Sequence, residues 1–108
     1  MLPVEIIYLP GCPYCRKAKL AAEELKNENE NYGRVPVHWI DESEEPDTIT
    51  DYNYYYVPSV FYGKRKYFEA HPGDSYEKIR DGIRDAFDMA VYDGPGSEHT
   101  APQQNNSL

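Results

Sequence analysis

Val4-Glu5-Ile6-Ile7-Tyr8-Leu9-Pro10-Gly11-Cys12-Pro13-Tyr14-Cys15 (residues 4–15) is the stretch that decides the fold. Val4 to Leu9 is short, apolar and β-branched with one charge, the pattern of a strand buried on both faces. Pro10-Gly11 ends it. From Cys12 the period changes. Ala18, Ala21, Ala22 and Leu25 fall at i, i+3, i+4 and i+7, one stripe of a helix running from Cys12 to Asn31. Pro13 suits the first helical position, where no N–H is needed, so Cys12 is the expected N-cap. Asn29, Asn31 and Gly33 supply the stop. The unpaired N–H groups of a helix start and its macrodipole favour a thiolate there. Arg16 and Lys17, about one turn along, add positive charge. One turn of helix also returns Cys15 to the side of Cys12, within reach of a disulfide. Cys12, at the exposed end, is expected to attack, and Cys15, inside the first turn, to resolve.

Working outward, Arg34 to Asp41 reads as a second strand, and Pro36 within it points to a sheet edge. Ser43 to Tyr54 reads as a short helix capped by Ser43, with Glu44 and Glu45 in its first turn. Ser59 to Tyr62 is a strand, Gly63-Lys64 a turn, and Arg65 to Ala70 the hairpin partner. Asp74 to Glu77 resembles a capping box with Asp74 as the cap. Tyr76, Ile79, Ile83, Ala86, Phe87 and Ala90 then form a helical stripe to about Val91. Gly82 within it costs about 1 kcal/mol unless close packing requires it. The order β-α-β-α-β-β-α predicts an α/β domain over residues 1–92. Its first two strands are parallel across a right-handed crossover, and its mixed four-stranded sheet has helices on both faces. Residues 93–108 are polar and aperiodic, expected to be a disordered tail.

The chain has 108 residues, so one core and not two. Two cysteines exclude a disulfide-rich secreted scaffold. No apolar run is long enough for a transmembrane helix. Met1 to Glu5 lacks a basic segment and carries a charge where a signal peptide is apolar, so the expected location is cytoplasmic. With 11 Lys and Arg against 19 Asp and Glu, the formal charge is −8. Nothing in that balance recruits nucleic acid or anionic membrane, and neither is an expected partner; a monomer is expected.

Zinc needs two ligands beyond Cys12 and Cys15, and His38, His71 and His99 form no ligand-spaced pair. A structural disulfide closing four residues would add little stability. Redox chemistry is the better account. Val57-Pro58 opens a predicted central strand, where a proline's missing N–H is awkward unless placed deliberately. A cis bond there would leave the Val57 N–H and C=O free for an extended peptide or thiol substrate; a trans, strand-initiating proline fits the local sequence equally well. Tyr52 to Tyr56 could wall such a site or simply pack. Lys64-Arg65-Lys66 reads as a solvated hairpin tip.

Taken together, Gly11-Cys12-Pro13-Tyr14-Cys15, Val57-Pro58 followed by Val60-Phe61, Tyr52, and Gly73-Asp74-Ser75 resemble a glutaredoxin-like protein of the thioredoxin superfamily over about residues 4–91. The resemblance implies a thioredoxin fold and a dithiol-disulfide oxidoreductase. Cys12 and Cys15 would be its catalytic pair, within an environment set by Pro13, Arg16 and Lys17. Tyr14, Val57, Pro58, Gly73, Asp74 and Ser75 would be its substrate-binding residues. The substrate would be a disulfide-containing protein or a glutathione mixed disulfide, recycled by glutathione or a thioredoxin-type reductase, with no bound prosthetic group and no metal. The alternatives are a non-catalytic scaffold module of the same fold, and a glutaredoxin that bridges an iron–sulfur cluster. Three positions depart from the glutaredoxin pattern. Leu9 stands where a lysine commonly grips the glutathione glycyl carboxylate, Tyr56 replaces a threonine, and Pro72-Gly73 replaces a double glycine. Slow turnover of glutathione mixed disulfides is the expectation that follows.

Overall fold

The computed structural model describes residues 1–94. The elements are β1 (Val4–Tyr8), α1 (Pro13–Glu28), α2 (Glu30–Gly33), β2 (Val37–Asp41), a 3₁₀ turn (Thr48–Asp51), β3 (Ser59–Tyr62), β4 (Arg65–Glu69) and α3 (Tyr76–Asp93). The four strands form one mixed sheet in the order β2-β1-β3-β4. β1 is parallel to β2 and antiparallel to β3, and β3 and β4 make the hairpin. β1 is central, with Val4, Ile6 and Ile7 fully buried, as its short, largely apolar run predicts. β2 lies at an edge, and Pro36 sits just before it, its carbonyl accepting the Val4 N–H at 2.9 Å.

The main core lies on one face of the sheet. Val4, Ile6, Val60 and Tyr62 meet Ala18, Ala21, Ala22 and Leu25 of α1 and Ile79, Ile83, Ala86, Phe87 and Ala90 of α3. Gly82 is required here: a Cβ would stand 2.2 Å from Phe68 Cγ and 2.6 Å from Phe68 Cβ. The opposite face is thinner. Ile7, Ile40 and Phe61 are covered by Ile49, Tyr52, Tyr54 and Val57.

Three expectations are corrected. The helix over Ser43–Tyr54 is only the 3₁₀ turn, so both long helices share one face and the other is covered by a loop. Pro46 interrupts the segment, and β-branched Thr48, Ile49 and Thr50 follow it. Asp41 also competes: its Oδ1 accepts from the Ser43 N–H and hydroxyl, making a turn where a helix cap was expected. The first helix ends at Glu28 instead of Asn31, because the Asn29 side chain caps α2 by accepting from the Asn31 and Tyr32 N–H groups. The cap of α3 is Ser75, whose hydroxyl accepts the Lys78 N–H, while Asp74 accepts the His71 N–H instead. The tail expectation concerns residues beyond 94 and lies outside the described residues. No helix among the described residues is long and apolar enough to cross a membrane.

Candidate functional site

The C-terminal end of β1 delivers the chain into Pro10-Gly11, with Gly11 at φ 80°, and α1 starts at Pro13 with Cys12 as its N-cap. The Cys12 side chain makes no capping hydrogen bond, so it does not close the helix start. Cys12 is half-buried, Cys15 is buried, and both are free thiols. Burial pushes the Cys15 thiol up to about 12; its hydrogen bond with Cys12 and the Cys12 charge push the same way, against a backbone hydrogen bond from Leu9 and the Lys19 charge. The inner thiol is therefore held protonated at neutral pH.

Three cations of α1 surround this start. Arg16 donates back to the Gly11 carbonyl at 3.4 Å. Lys17 lies 5.2 Å from the Tyr14 ring centroid, and Lys19 lies 4.6 Å from that of Tyr8. A small pocket of about 80 Å³ beside Cys12 and Cys15 is lined by Leu9, Gly11, Arg16 and Lys19 among others.

The Val57–Pro58 bond is cis. The antiparallel register sets Ser59 opposite Ile7, so Val57 and Pro58 run beside the end of β1 that leads to Cys12. Pro58 is fully buried and its carbonyl accepts the Ala70 N–H at 3.0 Å. Neither the N–H nor the C=O of Val57 has a hydrogen-bond partner among the described residues.

Tyr14 joins the third part of the site. Its hydroxyl accepts the Gly73 N–H at 2.8 Å, linking the first turn of α1 to the turn before α3. Gly73 has φ 95°, a conformation only glycine adopts easily. Asp74 is buried; it accepts the His71 N–H at 2.8 Å and pairs with Lys78 at 3.3 Å. The His71 N–H first, then Lys78, hold its carboxyl below the usual range. Asp74 and Ser75 thus have internal partners, one shaping the turn and one capping α3.

Between these parts lies a groove of about 290 Å³, lined among others by Leu9, Tyr14, Glu42, Tyr56, Val57 and His71. The structure thereby brings Tyr14 and Val57 together with residues that the sequence did not single out as binding groups. Glu42 is the clearest of these. It follows β2 directly, donates its N–H to the Tyr8 carbonyl, and its carboxylate accepts the Tyr54 hydroxyl. The tyrosine run is split between two tasks. Tyr52 and Tyr54 pack edge-on against Phe61 beneath the sheet, and Tyr55 and Tyr56 face the groove. Glu69 fixes the latter pair: its Oε2 accepts both the Tyr55 and Tyr56 N–H groups at 2.6 Å, and its Oε1 pairs with Lys66 at 2.7 Å. Burial pushes the Glu69 carboxyl up, but Lys66 and the two amides outweigh it and hold it below its ordinary value.

His38 is exposed and pairs with Glu5 at 3.7 Å, away from these groups. Among the described residues no cluster of three or more His, Cys, Asp or Glu is placed to hold a metal ion. No family model matches the chain, and no curated protein matches it.

Proposed function

We propose that this α/β protein has a thioredoxin fold and is a glutaredoxin-like thiol–disulfide oxidoreductase, reducing protein or glutathione mixed disulfides through Cys12 and Cys15. The observation that carries the reading is the asymmetry of the pair. Cys12 is half-buried at a helix start, with Arg16 and Lys19 lining the pocket beside it, while Cys15, one turn inside, is buried and its thiol is pushed up. That is the division of labour between an attacking and a resolving thiol. The Cys12 thiolate attacks one sulfur of the substrate disulfide and expels the other as a thiolate. Cys15 then loses its proton and attacks the Cys12 sulfur of the mixed disulfide. The substrate leaves as a thiol, carrying two electrons, and a Cys12–Cys15 disulfide remains. The raised acidity threshold of Cys15 keeps it out of the first step; proton transfer to the departing sulfur would release it for the second.

Val57 supports the reading from the other side. Its N–H and C=O, unpaired among the described residues at a strand start, can receive an extended substrate backbone. A reducing compartment, the cytoplasm, suits a dithiol of this kind. Reduction of the Cys12–Cys15 disulfide falls to glutathione or to a thioredoxin-type reductase. A coupled assay with glutathione plus glutathione reductase, run against thioredoxin reductase, tests the function. NADPH-dependent turnover in one arm supports it, and silence in both, with a neutral dialkyl disulfide as substrate, rejects it.

A further inference from the structure

We propose that the groove beside Cys12 selects disulfides of peptides that carry a basic residue next to their cysteine. The inference rests on the oxidoreductase reading and narrows its substrate class. Three observations lead to it. First, the groove opens between the two parts of the site that a substrate must touch, since Leu9 lines it and also the pocket at Cys12, and Val57 lines its other side. Second, its walls are aromatic. Tyr14, Tyr55, Tyr56 and His71 all line it, with the Tyr56 and His71 rings 5.2 Å apart. Tyr55 is 87% exposed and Tyr56 48%, although Glu69 holds the backbone of both in place. Bare rings carried on a backbone that is held in place form a surface for an occupant.

Third, the groove's charge has one sign. Glu42 is its carboxylate, and no lysine or arginine is among the described residues that line it. On its wall Lys17 lies against the Tyr14 ring, 5.2 Å from the centroid. Aromatic faces beside a carboxylate attract an ammonium or guanidinium group. Glutathione carries two carboxylates and one ammonium. At this groove it meets Glu42 with no directed cation in return, on a protein of net charge −8. Glu42 is held in place by the Tyr54 hydroxyl, so it cannot swing away without breaking a hydrogen bond.

The test is a single-turnover reaction of the full, pre-reduced chain. The probes are short peptides whose cysteine is disulfide-linked to 2-mercaptoethanol, flanked by lysine, alanine or glutamate, and the same mixed disulfide of glutathione. Acid quench and mass spectrometry read the rate. At low salt and a pH above the range where imidazoles ordinarily titrate, the lysine peptide is expected to react about tenfold faster than the glutamate peptide. Glutathione should fall with the slow group. Glu42→Gln, which keeps the acceptor for Tyr54, should bring the lysine-to-glutamate ratio below about threefold. Glu28→Gln, the same change in net charge at the far end of α1, should leave it unaltered. Lysine and glutamate rates within about twofold of each other overturn the proposal. So does a ratio that Glu42→Gln fails to move, or glutathione reacting as fast as the lysine peptide. If the alanine peptide reacts but no preference is seen, the selectivity is wrong and the oxidoreductase stands. If no probe reacts at Cys12, both fall.

Discussion

Tyr14 Oη accepts the Gly73 N–H at 2.8 Å, so one of the two residues between the cysteines is anchored to the turn that leads into α3. The bond joins the first turn of α1 to the turn before α3, and the groove lies beside it. Tyr14→Phe removes the acceptor and leaves the ring. An exposed hydrogen bond of this kind contributes about 0.5–1.5 kcal/mol, and the loss should show as a lower denaturation midpoint. Amide exchange at Gly73 should quicken in the variant. Unchanged exchange would mean that the turn is held by the Asp74–His71 bond alone.

Cys15 supplies a pH prediction. Its thiol is pushed up to about 12, first by burial and then by Cys12. Alkylation of Cys15 should be slow at neutral pH and accelerate only in strongly alkaline solution, while Cys12 reacts first. Cys12→Ser removes the neighbouring charge and should bring the Cys15 titration downward without restoring an ordinary thiol, because burial remains. Site-resolved alkylation against pH, read by mass spectrometry, checks both. Early modification of Cys15 would contradict the assignment of roles.

Three tyrosines should titrate late. Burial, then a hydrogen bond to a carboxylate, raises Tyr32 to about 12, and raises Tyr52 and Tyr54 by the same two causes. A phenol whose folded value lies above its ordinary value of 10.0 gives stability that is complete below that value. The contribution is lost as pH rises through the folded value. Alkaline unfolding should therefore set in above pH 10 and proceed toward about 12. Glu5→Gln removes the charge that Tyr52 meets at 2.5 Å and should lower its titration, seen in the ultraviolet absorbance of tyrosinate. A tyrosine titration already complete near pH 10 would contradict the packing described.

Gly82→Ala sets helix propensity against space. Alanine gains about 1 kcal/mol in a helix interior. Its Cβ would meet Phe68 at 2.2–2.6 Å, and because Phe68 Cβ is among the atoms struck, a rotamer change cannot clear it. Overpacking of about 1–3 kcal/mol should win, giving net destabilisation by chemical denaturation. In a Phe68→Ala background the penalty should shrink without vanishing. A stabilised Gly82→Ala protein would refute the close approach of α3 to β4.

Leu9 lines both the groove and the pocket at Cys12. On the proposed oxidoreductase reading, Leu9→Lys would place a cation where a glutathione carboxylate would lie. It should raise the rate with glutathione mixed disulfides about tenfold, and less at high salt. High wild-type activity, unaltered by the substitution, would show glutathione to be held by other residues.

Much of this was legible in the sequence because the signals were periodic or punctuated. The change from the Val4–Leu9 run to the alanine stripe of α1 located Cys12 at a helix start, and Pro13 fixed the cap. Gly82 carried its own question, which Phe68 answers. The loop over Ser43–Tyr54 misled because its acidic start resembles a first helical turn, while Asp41, outside the segment, takes Ser43 into a turn. Asp74 and Ser75 are both good caps, and only the three-dimensional demand of the His71 N–H chooses between them. Glu42 had no local signal at all. It reaches the groove through the parallel register of β1 and β2 and its bond to Tyr8, a contact between distant segments. The split of Tyr52 and Tyr54 from Tyr55 and Tyr56 left only a hint, the two-residue spacing of an extended chain.

The central claim is that Cys12 attacks and Cys15 resolves. The most direct test is to react the reduced protein and its two serine variants with a neutral dialkyl disulfide, and to map the products by mass spectrometry. Wild type should end as the Cys12–Cys15 disulfide with two thiols released. Cys15→Ser should stop at a mixed disulfide on Cys12, and Cys12→Ser should be inert. A mixed disulfide on Cys15, or turnover that survives Cys12→Ser, would contradict the account.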